Sequence, residues 1–260
     1  MTEMTTKLSK LIQLVDEFDN FGKLDRDMSL FSVAIGTLRK DKSLVADIIK
    51  TTDDSSDGLG AIVLSRILTE DYLHLLFLNA NQDDLIENIE NFNLHPHIEN
   101  YSSLQAMKEW GFDFSKEDEA ERIINESSTA FEANKARFLR RKAKEGTFNA
   151  DDYYRTWTKL SLNDLIKNTG LADTDEGRHS LKFMTETYDN ASTIVHHNSL
   201  AIWLLASQGD KIFSDEYPEL ALTVSRIVFS QIIKLALEIA EPKIGEEKLA
   251  EYTTRLADIL

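Results

Sequence analysis

The stretch Ala61-Ile-Val-Leu-Ser-Arg66-Ile-Leu-Thr-Glu70-Asp-Tyr-Leu-His74-Leu-Leu-Phe-Leu78 sets the fold class. Three of its charged or titratable residues, Arg66, Glu70 and His74, recur every fourth position in a largely apolar run, a period that fits a helix and no strand. Projected on a helical wheel, Arg66 and Glu70 fall between Val63, Leu73 and Phe77, so the two charges share an apolar face. A Glu four residues after an Arg closes an ion pair along the helix. Burying such a pair is costly unless every donor and acceptor is satisfied, and removing one partner strands a charge at ~3–5 kcal/mol.

The same periodicity extends in both directions. Only 3 prolines and 10 glycines interrupt the chain, and alternation of period two is hard to find, so the expected fold class is all-α. The spacing predicts helices over Lys7–Phe21, Met28–Lys50, Gly60–Ala80, Asp83–Phe92, Ser102–Trp110 and Lys116–Lys144. Further helices are predicted over Ala150–Lys159, Ser161–Asn168, Asp175–Ser207, Pro218–Ala240 and Gly245–Leu260. Ser115-Lys-Glu-Asp118 and Ser161-Leu-Asn-Asp164 read as N-caps with an acid three residues on; Gly146, Gly170 and Gly209 suit positions past helix ends; Pro242 reads as a stop. Thr51-Thr-Asp-Asp-Ser-Ser-Asp-Gly58 has no apolar residue and reads as a linker, dividing an N-terminal helical hairpin (1–58) from a main bundle (59–260) that ends in a C-terminal helix pair.

Composition excludes several function classes. With 260 residues, 42% of them hydrophobic, the chain can bury a large core without staples, and the absence of cysteine removes disulfides, thiolate nucleophiles and Cys-ligated metals. Met1–Lys10 lacks the apolar segment of a secretory signal, which points to the cytoplasm. Leu220–Ala240 is the longest apolar run, but Arg226, Gln231, Lys234 and Glu238 interrupt it, so a core helix is expected and no membrane association. A net charge of −16 disfavours broad contact with nucleic acid and confines any phosphate contact to a local site.

A second stripe lies in Tyr188-Asp-Asn-Ala-Ser192-Thr-Ile-Val-His196, where Tyr188, Ser192 and His196 also fall four apart, beside Leu181, Met184 and Val195. If this helix packs antiparallel to the first, Arg66, Glu70, Tyr188, Ser192 and His196 form one polar island in the bundle. Such an inventory, with a fixed cation, a carboxylate and an imidazole that titrates near neutrality, suits an anionic ligand or acid–base catalysis. It equally suits a lock in which buried polar groups satisfy one another and set helix register.

Arg66-x-x-x-Glu70, the Trp157 segment followed by Ser161-Leu-Asn-Asp-Leu-Ile, and Tyr188-x-x-x-Ser192-x-x-x-His196 together resemble a family of uncharacterised bacterial all-helical proteins, a domain of unknown function, over Gly60–Trp203. That family is in turn similar to HEPN-type helical proteins, many of them metal-independent ribonucleases, toxins or anti-phage effectors. The resemblance implies a HEPN-like helical bundle and two functional readings. In the first, the chain is an interaction or regulatory module of phage defence or a toxin–antitoxin system. In the second it is a ribonuclease, with His196 as acid–base, Arg66 holding phosphate, Glu70 orienting Arg66, and Tyr188 or Ser192 placing the ribose. HEPN ribonucleases carry an Arg with four to six residues between it and the catalytic His, whereas this chain has Ala191, Asn190 and Asp189 at those positions before His196. The missing cation favours the first reading.

Charge is uneven along the chain. Asn81–Ser128 holds 12 acids against 3 bases, while Thr129–Leu160 holds 8 bases against 4 acids. Arg137, Arg140, Arg141 and Lys144 crowd one helix end and make a local polyanion contact, RNA included, conceivable; the same cations complement a helix C-terminus and can pair with an acidic neighbouring helix. The net charge of −16 and the acidic Asn81–Ser128 stretch also suit a third reading, a nucleic-acid mimic in another protein's basic groove. No cofactor is expected, since the P-loop and G-x-G-x-x-G fingerprints are absent, and no metal, since His95-Pro-His97, read as an exposed turn, and His196-His197 are the only tight histidine groups. The broad apolar face Leu220, Val224, Ile227, Val228, Ile232, Leu235 and Ile239 is expected to serve the core and in part a homodimer or a protein partner.

Overall fold

The computed structural model describes residues 2–18, 29–54, 58–111, 118–140, 149–195 and 216–260. Among them are nine α-helices and no strand: α1 Glu3–Phe18, α2 Leu30–Asp54, α3 Leu59–Ala80, α4 Leu85–Glu109, α5 Asp118–Phe138, α6 Leu162–Asn168, α7 Asp175–Val195, α8 Glu216–Ile244 and α9 Glu246–Ile259. They fall into two compact units, residues 1–82 with 165–260, and residues 83–164. The division therefore lies elsewhere than at Gly58. The predicted N-terminal hairpin belongs to the first unit, where α2 packs on both α3 and α8.

In the first unit α3 is apolar nearly all round because it has helices on three sides, α2, α7 and α8. It runs parallel to α8: Gly58 lies against Pro218 at the start of both helices, and seven residues on, Ser65 Oγ meets Ser225 Oγ at 3.1 Å. Small residues on both sides, Ala61 and Ser65 facing Ala221 and Ser225, allow that close approach, and the Ser65 hydroxyl donates to the Ala61 carbonyl at 2.8 Å. Helix α2 doubles back on α3, with Thr51 beside Gly60 at one end and Lys40 paired to Asp71 at the other. Helix α7 is also antiparallel to α3, with Arg66 bonded to Tyr188. The C-terminal α9 lies antiparallel to α1 through Arg255–Glu17 at 2.7 Å and an edge-on Phe18–Tyr252 pair. Val224, Val228, Ile232 and Leu235 of α8 are buried inside this unit. By length and composition alone α8 meets the requirements of a membrane span, yet 67% of its apolar window is buried within the molecule.

The second unit pairs α4 with α5 around Ile98, Phe131, Phe138 and Tyr153, with Tyr101 stacked on Phe131 at 3.9 Å. Here the structure departs most from the expected elements. The predicted helices Asp83–Phe92 and Ser102–Trp110 are one helix, α4, and His95-Pro96-His97 lies inside it and forms no turn. His95 is buried, its Nε2 3.0 Å from the Tyr154 carbonyl and its ring edge-on to Phe138. Phe92 packs edge-on against Trp157. These tertiary contacts on both sides of Pro96 outweigh the backbone hydrogen bond its ring removes. The predicted helix Ala150–Lys159 is instead a 3₁₀ turn, Ala150–Asp152, then a short extended pair in which Tyr153 bridges to Leu139 and Tyr154 N–H donates to the Phe138 carbonyl at 2.9 Å, and then a turn closed by the Lys159 N–H on the Thr156 carbonyl at 3.1 Å. This irregular path buries both Tyr153 and Trp157.

Other ends shift for local reasons. Helix α1 begins at Glu3, ahead of Lys7, because the Thr2 hydroxyl accepts the Thr5 N–H at 3.2 Å. Helix α2 extends to Asp54, into the predicted linker. Helix α8 passes Pro242 and ends at Ile244. The carbonyl that Pro242 leaves without its helical donor is that of Glu238, on the exposed side of the helix. Ser161 caps α6 as read, accepting the Asp164 N–H at 3.2 Å while donating to its carboxylate at 2.7 Å. The predicted Ser115 cap, Gly146 and Gly209, and the stretch 196–207 of the predicted Asp175–Ser207 helix, lie outside the described residues.

Candidate functional site at the α3–α7 seam

The helical period of α3 places Arg66 and Glu70 on the side that meets α7, and the two close an ion pair, Arg66 Nε to Glu70 Oε1 at 2.9 Å. From α7, Tyr188 receives a hydrogen bond from Arg66 Nη2 at 3.2 Å, while the guanidinium carbon sits 4.3 Å from the ring centroid. The guanidinium thus lies over the phenol face and reaches the hydroxyl at its edge, a cation–π contact worth ~0.5–2 kcal/mol according to its desolvation. The side chains remain 20% exposed at Arg66 and 37% at Glu70, so the cluster borders solvent. The polar island expected inside the bundle is therefore a half-buried patch on its flank.

This arrangement has defined chemistry. The guanidinium is committed to a carboxylate through Nε and to a phenol through Nη2, which holds it in a single orientation while the side chain stays partly exposed. Tyr188 accepts from Arg66 and keeps its own O–H to donate to a third group. Ser192, half-buried, lies one turn further along α7 on the same face. His196 lies outside the described residues, as do Arg141 and Lys144 of the basic segment. Of the other two cations there, Arg137 bonds Glu90 at 3.0 Å and Asn91 at 3.3 Å, and Arg140 sits over Tyr154 with its Cζ 5.7 Å from the ring centroid. Arg137 is thus paired with the acidic neighbouring helix, α4. No cluster of three or more His, Asp or Glu able to hold a metal occurs among the described residues.

The profile of a family described as a family of unknown function, DUF5677, matches residues 45–212. The chain belongs to the DUF5677 family. The matched span encloses Gly60–Trp203, where the resemblance to an uncharacterised domain was read, and it includes Arg66, Glu70, Tyr188, Ser192 and His196. No curated protein and no solved structure matches this DUF5677 chain.

The sequence reading missed one group of residues at the α2–α3 interface of this DUF5677 member. Asp41 is 0% exposed, and no donor group among the described residues reaches either of its carboxyl oxygens. Burial, then the neighbouring Asp71 carboxylate, pushes its pKa up to about 9, so it is a neutral acid that donates to Asp71. Asp71 in turn pairs with Lys40. Burial holds the adjacent His74 down to about 4, so its imidazole is neutral. In sequence Asp41 stands between Lys40 and Lys42, the pattern of a solvated helix face. Its burial follows only from the packing of α3 over it.

Proposed function

We propose that this chain is a HEPN-like interaction or regulatory module of the kind used in phage defence and toxin–antitoxin systems, working in the cytoplasm with a second copy or another protein. Its α3–α7 polar cluster then serves to hold an anionic group and takes no part in cleavage. One observation carries this reading: Arg66 is fixed by Glu70 and Tyr188 at 2.9 and 3.2 Å yet remains partly open to solvent. A guanidinium set in place before the ligand arrives, with the Tyr188 O–H beside it, recognises oxyanions without reorganising.

The ribonuclease reading requires a cation and a general base at one phosphate. Asp189, on the same helix as Tyr188, is exposed and repels such a group. Labelled single-stranded RNA incubated with wild type is expected to stay intact. Cleavage that disappears in His196→Ala, with helical circular dichroism retained, would overturn the regulatory reading. The anion-holding role is tested separately by titrating inorganic phosphate in a thermal-shift assay. Wild type is expected to be stabilised in a saturable way and Arg66→Ala is not; equal behaviour of the two removes the role.

A further inference from the structure

The face of α8 expected to serve a dimer is spent on the core, since Val224, Val228, Ile232 and Leu235 are all buried within the first unit. A second copy, as the proposed function has it, needs another surface, and one end of the second unit offers it.

Helices α4 and α5 run antiparallel in that unit. Phe131 stacks on Tyr101, Phe138 meets His95 and Arg137 meets Glu90, so the start of α4 and the end of α5 lie together. At the start of α4, Asp84 and Glu87 are exposed, and neither has a cation against it among the described residues; the Asp84 side chain makes no cap bond to its own helix. Past the end of α5, Arg140 lies over Tyr154 and Lys159 over Phe138, each 5.7 Å from its ring centroid, and neither has a carboxylate partner among the described residues. Arg140 Nε is shut away from solvent with no acceptor. Lys159 is held at φ +59°, a left-handed conformation uncommon outside glycine. By contrast Lys135, Arg137 and Arg155 of the same unit are each paired with an acid.

Two cations without anions and two anions without cations therefore share one end of the unit. Helix dipoles account for part of this, because acids favour a helix start and cations a helix end. They do not account for Ile86, which stands between the two acids in sequence with 78% of its surface exposed. A surface that carries both signs beside an exposed apolar side chain is complementary to itself: a copy turned about a two-fold axis sets cations on acids twice and covers the apolar group. We infer that this end of the second unit is a homodimer interface whose occupant is a second copy of the chain, Arg140 and Lys159 of one protomer meeting Asp84 and Glu87 of the other around Ile86. It rests on the second-copy part of the proposed function and is independent of the anion held at Arg66.

Analytical ultracentrifugation of the full chain tests this. Wild type is expected to form a dimer in the micromolar range that weakens at least tenfold between ~0.1 and ~1 M salt, as the screening length falls from ~10 to ~3 Å. Ile86→Asn, at an exposed position, is expected to raise the dissociation constant at least tenfold. The same is expected of two reversed proteins, Arg140→Glu with Lys159→Glu and Asp84→Lys with Glu87→Lys, each with helical circular dichroism retained. Mixing the two reversed proteins is expected to restore a dimer, since each then offers the other opposite charges, and Arg66→Ala is expected to dimerise as wild type does. A chain that stays monomeric, which leaves this face to a different protein, a dimer indifferent to Ile86→Asn and to both reversals, or a mixture that stays monomeric would overturn the interface. None of these results bears on phosphate binding at Arg66, which thermal shift reads separately.

Discussion

Asp41 shows how one side chain can couple the stability of a helix pair to pH. Its folded pKa, pushed up to about 9, lies above the ordinary carboxylate value, so folding takes up a proton. The stability it allows is fully present below the unfolded value near 4 and is lost as pH rises through the folded value. Asp41→Asn keeps the shape and a donor toward Asp71 without the ionisation. It is expected to stabilise the protein at pH 7, on the order of 2–4 kcal/mol by linkage, with the difference from wild type shrinking toward pH 4. Urea unfolding from pH 4 to pH 9 measures this, and parallel curves for the two proteins would show that Asp41 is ionised in the fold. Residues of this kind resist sequence reading. Arg66, Glu70 and Tyr188 were legible because i,i+4 spacing places side chains on one face of a helix whatever it packs against. Asp41 has no such signature, and only the position of α3 distinguishes it from the solvated Asp that its lysine neighbours suggest.

At the scale of elements, periodicity located the helices, and chain-breaking residues misled where tertiary contacts outweighed them. Pro96 and Pro242 both sit inside helices, and the 150–159 segment is drawn out of a helix by the burial of Tyr153 and Trp157. Glycine gives the sharper test of what joins α3 to α8. Gly58 has φ +62°, and a Cβ built on it lies 2.6 Å from Pro218 Cδ, so a side chain there meets both backbone strain and a rigid ring. Gly58→Ala is expected to destabilise the first unit by ~2–4 kcal/mol, whereas Gly36→Ala, inside α2 with nothing within 4 Å of its Cβ, is expected to stabilise it by up to ~1 kcal/mol. Chemical denaturation of the two variants checks the opposite signs.

At the scale of the whole molecule, the sequence reading placed the break at an acidic linker, but composition does not report which helices share a core. Residues 1–82 and 165–260 do, although 82 residues of chain, 83–164, come between them. Replacing 83–164 with a flexible linker of about ten Gly and Ser residues is therefore expected to leave a helical protein that unfolds cooperatively, as followed by circular dichroism at 222 nm. A broad, non-cooperative melt would mean that the first unit depends on the second. The pairing of Ser65 with Ser225 across 160 residues has a further consequence, for the birth of the protein. At ~5–20 residues per second of synthesis, α3 leaves the ribosome ~8–30 s before the helix that covers its small-residue face exists. During that interval the small-residue face of α3, Ala61 and Ser65, has no helix against it.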